Sequence, residues 1–370
     1  MTIITSYIKR IRDEIIDCIE TRVIQHFFIQ APWGYGKTAL LYYLKNELST
    51  KKSCNILFID GNSVYSEEDF YLTLIKSYKK DKDFNKAFTD PEIARELCNK
   101  DETMLNLFDS YYTKLFTKPR KHIFYDEIIR FLSIDSTEKK NIFIILIDDF
   151  DILLNNRNIN EETFSNRLRK YLHEYPSNFM LIVTARKIPD SLKTPSAPFL
   201  RFFRVERLPK LNRRELEEFL TEEIKKLDIS SLNTQKIIDS ILEKTGGNPY
   251  YTKVLLRSLY SNLYKKDIVD ITESDVEEAY KDMCELLQPV LPSILPSSAQ
   301  EVKILKALTN YSTISDIESV TNIKSQNIRA LISNLKKNGY IYNIDKGEYT
   351  LSDPVLENWL KTSYEMSIGW

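Results

Sequence analysis

Residues 31–38, APWGYGKT, constrain this chain more than any other stretch. They follow the apolar run Phe27-Phe28-Ile29 and lead straight into ALLYYLKNEL. The order is strand, glycine-bearing loop, helix, the setting in which a GxxxxGK[ST] string binds a nucleotide phosphate. In such a loop the backbone N–H groups of Pro32-Trp33-Gly34-Tyr35-Gly36-Lys37-Thr38-Ala39 wrap the phosphates, proline excepted, and the helix N-terminus adds positive potential. Lys37 would reach the β- and γ-phosphates and the Thr38 hydroxyl would ligate Mg²⁺. One position departs from the pattern: the first residue is Ala31, not glycine. The chain has only eight glycines, and Gly34 and Gly36 sit in this loop.

Five short runs read as buried parallel strands: FFIQ (27–30), NILFID (55–60), NIFIILIDDF (141–150), FMLIVTA (179–185) and FFRVERL (202–208). They are apolar throughout and rich in β-branched and aromatic residues, and helical patterns separate them. The expectation is a doubly wound α/β nucleotide-binding domain over residues 1–208. The stretch 61–140 is longer than one crossover needs. DPEIARELCNK, LFDSYYTKLF and YDEIIRFLSI inside it read as an inserted set of helices.

Past Leu208 the pattern becomes helical. LNRRELEEFLTEEIKKL, NTQKIIDSILEKT, PYYTKVLLRSLYSNLY and TESDVEEAYKDMCELL read as four helices of a small domain, with Asn212 and Thr272 as N-caps and Gly246-Gly247 as a stop. QPVLPSILPSS, with Pro289, Pro292 and Pro296, reads as a linker, which closes the helical domain at residue 297. Over 298–370, AQEVKILKAL, SDIESVT and SQNIRALISNLKKNG read as helices. YIYNIDKGEYTLS reads as a hairpin turning at Asp345-Lys346-Gly347, with Tyr340, Ile341 and Tyr342 in its core. Three helices and a hairpin make a winged helix-turn-helix.

NIFIILIDDFDILL carries the partner of the phosphate loop. A carboxylate at the C-terminal end of a buried strand faces the crevice where α/β folds bind ligands. Asp148 would hold Mg²⁺ through water, because Mg²⁺ dehydrates reluctantly. Asp149 stands where a water-activating carboxylate would sit. Asp is one methylene shorter than Glu, and proton abstraction needs a reach of about 2.6–3.2 Å, so slow hydrolysis is expected. Asp151 reads as a solvated charge at a helix start. In FMLIVTARKIP, Thr184 and Arg186 are candidates to sense the γ-phosphate, the arginine by a bidentate contact. TGGNPYY (245–251) is a weak signal alone, since proline in a first helical turn is ordinary.

Taken together, APWGYGKT, LIDDFD, IVTAR and TGGNP, followed by a winged helix, resemble the STAND branch of AAA+-type ATPases. The nearest likeness is to the archaeal-type ATPase group, itself similar to archaeal origin-recognition initiators. The resemblance spans about residues 25–360 and includes the SDPVLENWL ending. It implies a P-loop AAA+/STAND-like five-stranded parallel sheet, a helical lid, a C-terminal winged helix, and ATP/ADP and Mg²⁺ as cofactors. It also implies an ATP/ADP switch coupled to oligomerisation. The family's GxP motif falls on Gly247-Asn248-Pro249, with Pro249 beside the adenine, and its strand-four arginine falls on Arg186. Arg201 and Arg204 are candidates to complete a neighbour's site, and read equally as exposed strand-end charges. The N-terminal aromatic and R-x-x-E box of the family is not visible.

Composition bounds the partners. Net charge is −1, so no global field attracts nucleic acid or an anionic membrane. No apolar stretch is long enough to cross a bilayer, and the N-terminus lacks a secretory h-region. Cys18, Cys54, Cys98 and Cys284 are scattered, with no metal spacing, and read as buried thiols in a reducing cytoplasm. DNA is a candidate partner through residues 324–347, where Lys324, Arg329, Lys336, Lys337 and Lys346 lie. Yet residues 298–370 hold eight Lys/Arg and eight Asp/Glu, whereas a DNA reader usually shows basic excess. Three functions follow as alternatives: a nucleotide-controlled switch ATPase acting on a protein partner or by self-association, a DNA-associated AAA+ regulator such as an initiator or transposition-type loader, and a nucleotide-binding scaffold that does not hydrolyse.

Overall fold

The computed structural model describes residues 5–79, 81–100, 103–116, 121–189, 192, 198–227, 231–232, 234–266 and 270–362. The chain divides into two compact units. One comprises Tyr7–Ala31 and Lys37–Leu208; the other takes in Pro32–Gly36 and the described part of Pro209–Trp370.

The first unit runs α1 (Ser6–Thr21), β1 (His26–Gln30), α2 (Lys37–Leu48), β2 (Cys54–Asp60), α3 (Glu67–Tyr78), α4 (Lys82–Lys86), α5 (Pro91–Lys100), α6 (Thr103–Phe116), α7 (Lys121–Lys139), β3 (Ile142–Asp148), α8 (Phe150–Leu154), α9 (Glu161–Glu174), β4 (Phe179–Ala185) and β5 (Phe203–Arg207). The strands form one parallel sheet in the order β2-β3-β4-β1-β5. Every residue of β3 and β4 is buried, which explains why both read as unbroken apolar runs. Side chains alternate between the faces. Phe28, Leu57, Ile59, Phe143, Ile145, Ile147, Leu181 and Val183 belong to one core, together with the apolar faces of α3 and α7. Helix α2 packs on β2, β3 and β4.

All three helices expected in the 61–140 stretch form, as α5, α6 and α7. The stretch joins the sheet core rather than building a separate one: Phe84 of α4, Phe88 just after it, Phe108 of α6 and Phe124 of α7 lie in the same apolar cluster as Phe143. Helix α1 buries Ile8, Ile11, Ile15 and Ile19 at helical spacing. An ionic knot ties it to β5: Tyr7 and Arg10 both donate to Glu206, and Arg204 pairs with Glu14 and Glu206.

The second unit contains α10 (Arg213–Leu227), β6 (Ser231–Leu232), α11 (Thr234–Thr245), α12 (Pro249–Lys266), β7 (Asp270–Ile271), α13 (Glu273–Leu287), α14 (Leu291–Ile294), α15 (Ala299–Leu308), α16 (Ile314–Thr321), α17 (Ser325–Lys337), β8 (Ile341–Asp345), β9 (Glu348–Leu351) and α18 (Pro354–Thr362). Thr272 closes a capping box with Asp275, and Asn212 exchanges the same pair of bonds with Glu215. β8 and β9 form the expected antiparallel hairpin, and Thr313 bridges to Glu348 ahead of α16. The order is α15-α16-α17-β8-β9, three helices followed by a hairpin. Ile341 is buried, but Tyr342 is exposed, because successive strand residues face opposite sides and only one side here meets the core.

The proline-rich segment does not behave as a free linker. Pro292 enters a helical turn at α14, Leu291 and Ile294 sink into the apolar cluster, and Tyr340 donates to the Ile294 carbonyl. That cluster runs without a break from Leu216 of α10 to Leu360 of α18.

Two outcomes follow. Leu291 is 1% exposed, so Leu291→Ala should cost about 2–4 kcal/mol in urea unfolding, whereas a loose linker position would stay within about 0.5. His26 is buried, its Nδ1 accepts from Leu181 N (3.1 Å), and burial pushes its pKa down to about 4. Between pH about 4 and 6.5 the unfolded chain therefore binds the extra proton. Stability is full above that window and falls by up to about 3 kcal/mol as the pH drops through it. His26→Phe should flatten this acid limb of the stability curve.

Candidate nucleotide site

The site begins with the register of three neighbouring strands. Gln30 pairs with Ala185, and the Ala31 N–H extends the ladder to the Ala185 carbonyl at 3.1 Å. Ile147 pairs with Val183, which sets Asp148 beside Thr184. The C-terminal ends of β1, β4 and β3 thus deliver Ala31, Thr184 and Asp148 side by side.

Asp148 is 4% exposed, and a carboxylate so deep needs partners. Its Oδ1 accepts from the Thr184 hydroxyl and from the Asp149 N–H at 3.1 Å. Thr184 is fully buried, so any sensing by its hydroxyl runs through Asp148. Asp149 adopts the left-handed conformation (φ 47°, ψ 48°), which breaks the strand and starts α8 at once. Its side chain remains partly exposed and accepts from Asn62 Nδ2 at 2.7 Å. Asn62 lies in the turn after β2, anchored on Asp60. That polar residue behind the second strand was the one visible sequence signal for it, in ILFIDGNS. Gly61 of the same turn has no room for a side chain: a Cβ would stand 2.6 Å from the Asp149 carbonyl and 2.7 Å from that of Asp148.

Lys37 opens α2 and is buried, with Nζ donating to the Ala31 carbonyl at 2.9 Å. Burial lowers its pKa, while Asp149, Asp151 and Asp148 pull it back up. The three carboxylates thus favour the charged form of the ammonium against its burial. Thr38 and Ala39 follow, the former exposed. Asp151 corrects the sequence reading. The left-handed turn at Asp149 aims it inward, where it is 6% exposed and its Oδ2 accepts from the Arg186 N–H at 3.3 Å. Burial raises its pKa against the opposing pull of Arg186. The Arg186 residue is exposed, as are Arg201 and Arg204, the last already paired with Glu14 and Glu206.

Residues Pro32–Gly36 belong to the second unit, and their partners there are specific. Trp33 packs against Tyr250 and Tyr251, with ring centroids 4.7 and 5.8 Å apart. Asn248 Nδ2 donates to the Trp33 carbonyl at 3.2 Å, and the Tyr250 N–H donates to the Gly34 carbonyl at 3.0 Å. Pro249 is half-buried at the first turn of α12. Tyr251 donates to Asp353 at 2.7 Å, and Gly246 abuts Pro354, so the TGGNPYY and SDPVLENWL motifs meet. The two aromatic partners of the loop, Tyr250 and Tyr251, were not legible as such in the sequence, because nothing local distinguishes a packed tyrosine from an exposed one.

As for a metal, Asp148 at the end of β3 and the exposed Thr38 hydroxyl at the start of α2 offer two hard oxygen donors. No group of three or more His, Cys, Asp or Glu poised for a metal occurs among the described residues. The two oxygen donors of Asp148 and Thr38 suit Mg²⁺, which takes one or two protein oxygens and completes its shell with phosphate and water. No helix among the described residues is long and apolar enough to cross a membrane.

Residues 5–160 match the model of the KAP family P-loop domain. The chain carries a P-loop NTPase domain. Its fold is shared with the Walker-type ATPase PABY2304 of Pyrococcus abyssi, at 19% identity and a TM-score of 0.65 over 95% of this chain and 94% of that one. The ORC2 protein of Aeropyrum pernix, in ADPNP–ADP complexes, is similar at 10% identity and a TM-score of 0.65, over 99% and 96% of the two chains. Its ADP form gives a TM-score of 0.58. No curated protein matches the sequence. The NTPase domain thus has the five-stranded parallel arrangement that the resemblance to archaeal-type ATPases and origin-recognition initiators implied.

Gly61→Ala tests how tightly the β3–α8 turn of this NTPase is built. Forcing apart two backbone carbonyls should cost about 1–3 kcal/mol in urea unfolding. A loss under about 0.5 kcal/mol would show that the turn gives way freely.

Proposed function

We propose that the protein is an ATP-binding, slowly hydrolysing AAA+/STAND-like ATPase that works as a nucleotide-controlled switch. The observation that carries this is the convergence of Lys37, Asp148 and Asp149 at adjoining strand ends. Lys37 would exchange the Ala31 carbonyl for the β- and γ-phosphates. Thr38 and Asp148 would hold Mg²⁺, which when bound neutralises charge on the transferred phosphoryl group. Thr184 orients the Asp148 carboxylate, and both of its neighbours' bonds use Oδ1. Asp149 would receive the proton of the attacking water. Its short side chain and its bond to Asn62 both restrain it, which suits a slow enzyme. Arg186 would meet the γ-phosphate.

A switch role draws support from the phosphate loop itself. Trp33 and Gly34 are bonded to the turn that opens α12, and that turn reaches Asp353 and Pro354 beyond the hairpin. A ligand that moves the loop favours whichever helical arrangement it contacts better. Pro249 would lie against the adenine. The Aeropyrum neighbour was solved with ADPNP and ADP, which favours adenine nucleotides as the ligand class here. Partner binding or self-association would be the output, in a cytoplasmic setting.

A second proposal, DNA association, rests on Lys324, Arg329, Lys336 and Lys337, all exposed on or beside α17 in a winged-helix order. The equal number of acidic residues over 298–370 weakens it. Salt-dependent duplex binding lost in a Lys336→Ala, Lys337→Ala double variant would favour it.

Lys37→Ala should abolish ATP binding by calorimetry without altering the circular dichroism spectrum. Asp149→Asn should keep binding but lower kcat by about 10²-fold or more, the range of a lost general base. Unchanged affinity in the first variant would overturn the site. Absence of any turnover in the wild type would leave a binding scaffold instead.

A further inference from the structure

The side chain of Asn248 is 5% exposed and uses both ends of its amide. Its Oδ1 accepts from the Tyr250 N–H at 2.9 Å and the Tyr251 N–H at 3.4 Å, which caps α12. Two N–H donors leave no choice for the oxygen, so Nδ2 must be the atom facing the Trp33 carbonyl at 3.2 Å. The Tyr250 N–H is shared with the Gly34 carbonyl at 3.0 Å. Two consecutive carbonyls of the phosphate loop are thus held from one side.

The peptide geometry turns this into a consequence for the ligand. No peptide bond among the described residues is cis, so each N–H points opposite to the carbonyl of its own peptide unit. Holding Trp33 O and Gly34 O toward Asn248 therefore turns the Gly34 and Tyr35 N–H groups the other way. Those are two of the donors a phosphate-binding loop needs. The contact is tight. Gly34 has φ +82°, and a Cβ there would stand 2.6 Å from Asn248 Oδ1 and 2.8 Å from Nδ2. Glycine at 34 and asparagine at 248 fit each other.

We propose that Asn248 is a positioning residue for nucleotide binding: its amide nitrogen sets the phosphate loop so that the Gly34 and Tyr35 N–H groups face the phosphates, while its oxygen fixes the helix that carries Pro249. This rests on the nucleotide site proposed above and assigns to Asn248 the preorganisation of that site.

Asn248→Asp separates the two jobs. A carboxylate keeps the helix cap at equal or better strength. It has no donor for Trp33 and places negative charge against that carbonyl. Asn248→Ser also keeps a capping oxygen but does not reach Trp33. In the full chain, affinity for Mg-ATP measured by calorimetry should fall about tenfold or more in both variants, the equivalent of one lost hydrogen bond of about 1.4 kcal/mol. The thermal midpoint without nucleotide should fall by about 3–6 °C, the equivalent of the same lost bond, which leaves the chain folded at the temperature of the calorimetry. Amide hydrogen exchange at Gly34 and Tyr35 should quicken in the nucleotide-free variants, a change that a capping role alone does not produce. If wild type binds, Lys37→Ala does not, and both Asn248 variants bind within twofold of wild type, the positioning role is overturned while the site stands. If wild type itself fails to bind, the site falls and the positioning role with it.

Discussion

A carboxylate buried at the end of an apolar strand is the constraint on which the NTPase unit turns. Six residues of β3 are hydrocarbon and the seventh is Asp148. Left bare, such a group would cost several kcal/mol. It is satisfied by the Thr184 hydroxyl from the adjacent strand and the Asp149 N–H from its own. The first bond requires the β3–β4 register, and the second requires the left-handed break at Asp149. That break starts α8, turns Asp151 inward, and leaves the Asp149 side chain partly exposed against Asn62. Sheet order, strand register and the placing of three acidic groups before Lys37 are therefore one solution to one burial problem.

The phosphate loop has a different dependence. Its ends belong to the sheet, through the Ala31–Ala185 ladder bond and through Lys37 at the start of α2. Its middle belongs to the helical unit, through Trp33, Gly34 and Asn248. The apolar cluster running from α10 to α18 means that the turn at Gly246–Tyr251 and the C-terminal hairpin share one core.

How much was legible in the sequence varied with how local the signal was. The five strands could be read because parallel strands covered on both faces are apolar at every position. The loop could be read because Gly34, Gly36, Lys37 and Thr38 are demanded by backbone geometry and charge within eight residues. The segment around Leu291 misled, because prolines speak for the local backbone, whereas burial of Leu291 and Ile294 depends on α10–α18 converging around them. Asp151 misled for the same reason: a charge at a helix start is usually solvated, and only the φ of the preceding residue says which way the helix sets off.

By itself the sequence determined the main element types, the sheet class and the position of the glycine-bearing loop between β1 and α2, since each follows from side-chain chemistry at short spacing. Tertiary structure decided what no spacing records. It chose Thr184 as the partner of Asp148, Asn62 as the partner of Asp149, and Asn248 with Tyr250 as the clasp on the loop. The side-chain bonds among these pairs run from 36 residues apart for Asp148 and Thr184 to 215 for Asn248 and Trp33. At such separations the partner is selected by strand register and by which buried polar atoms remain to be satisfied, and those are properties of the assembled core.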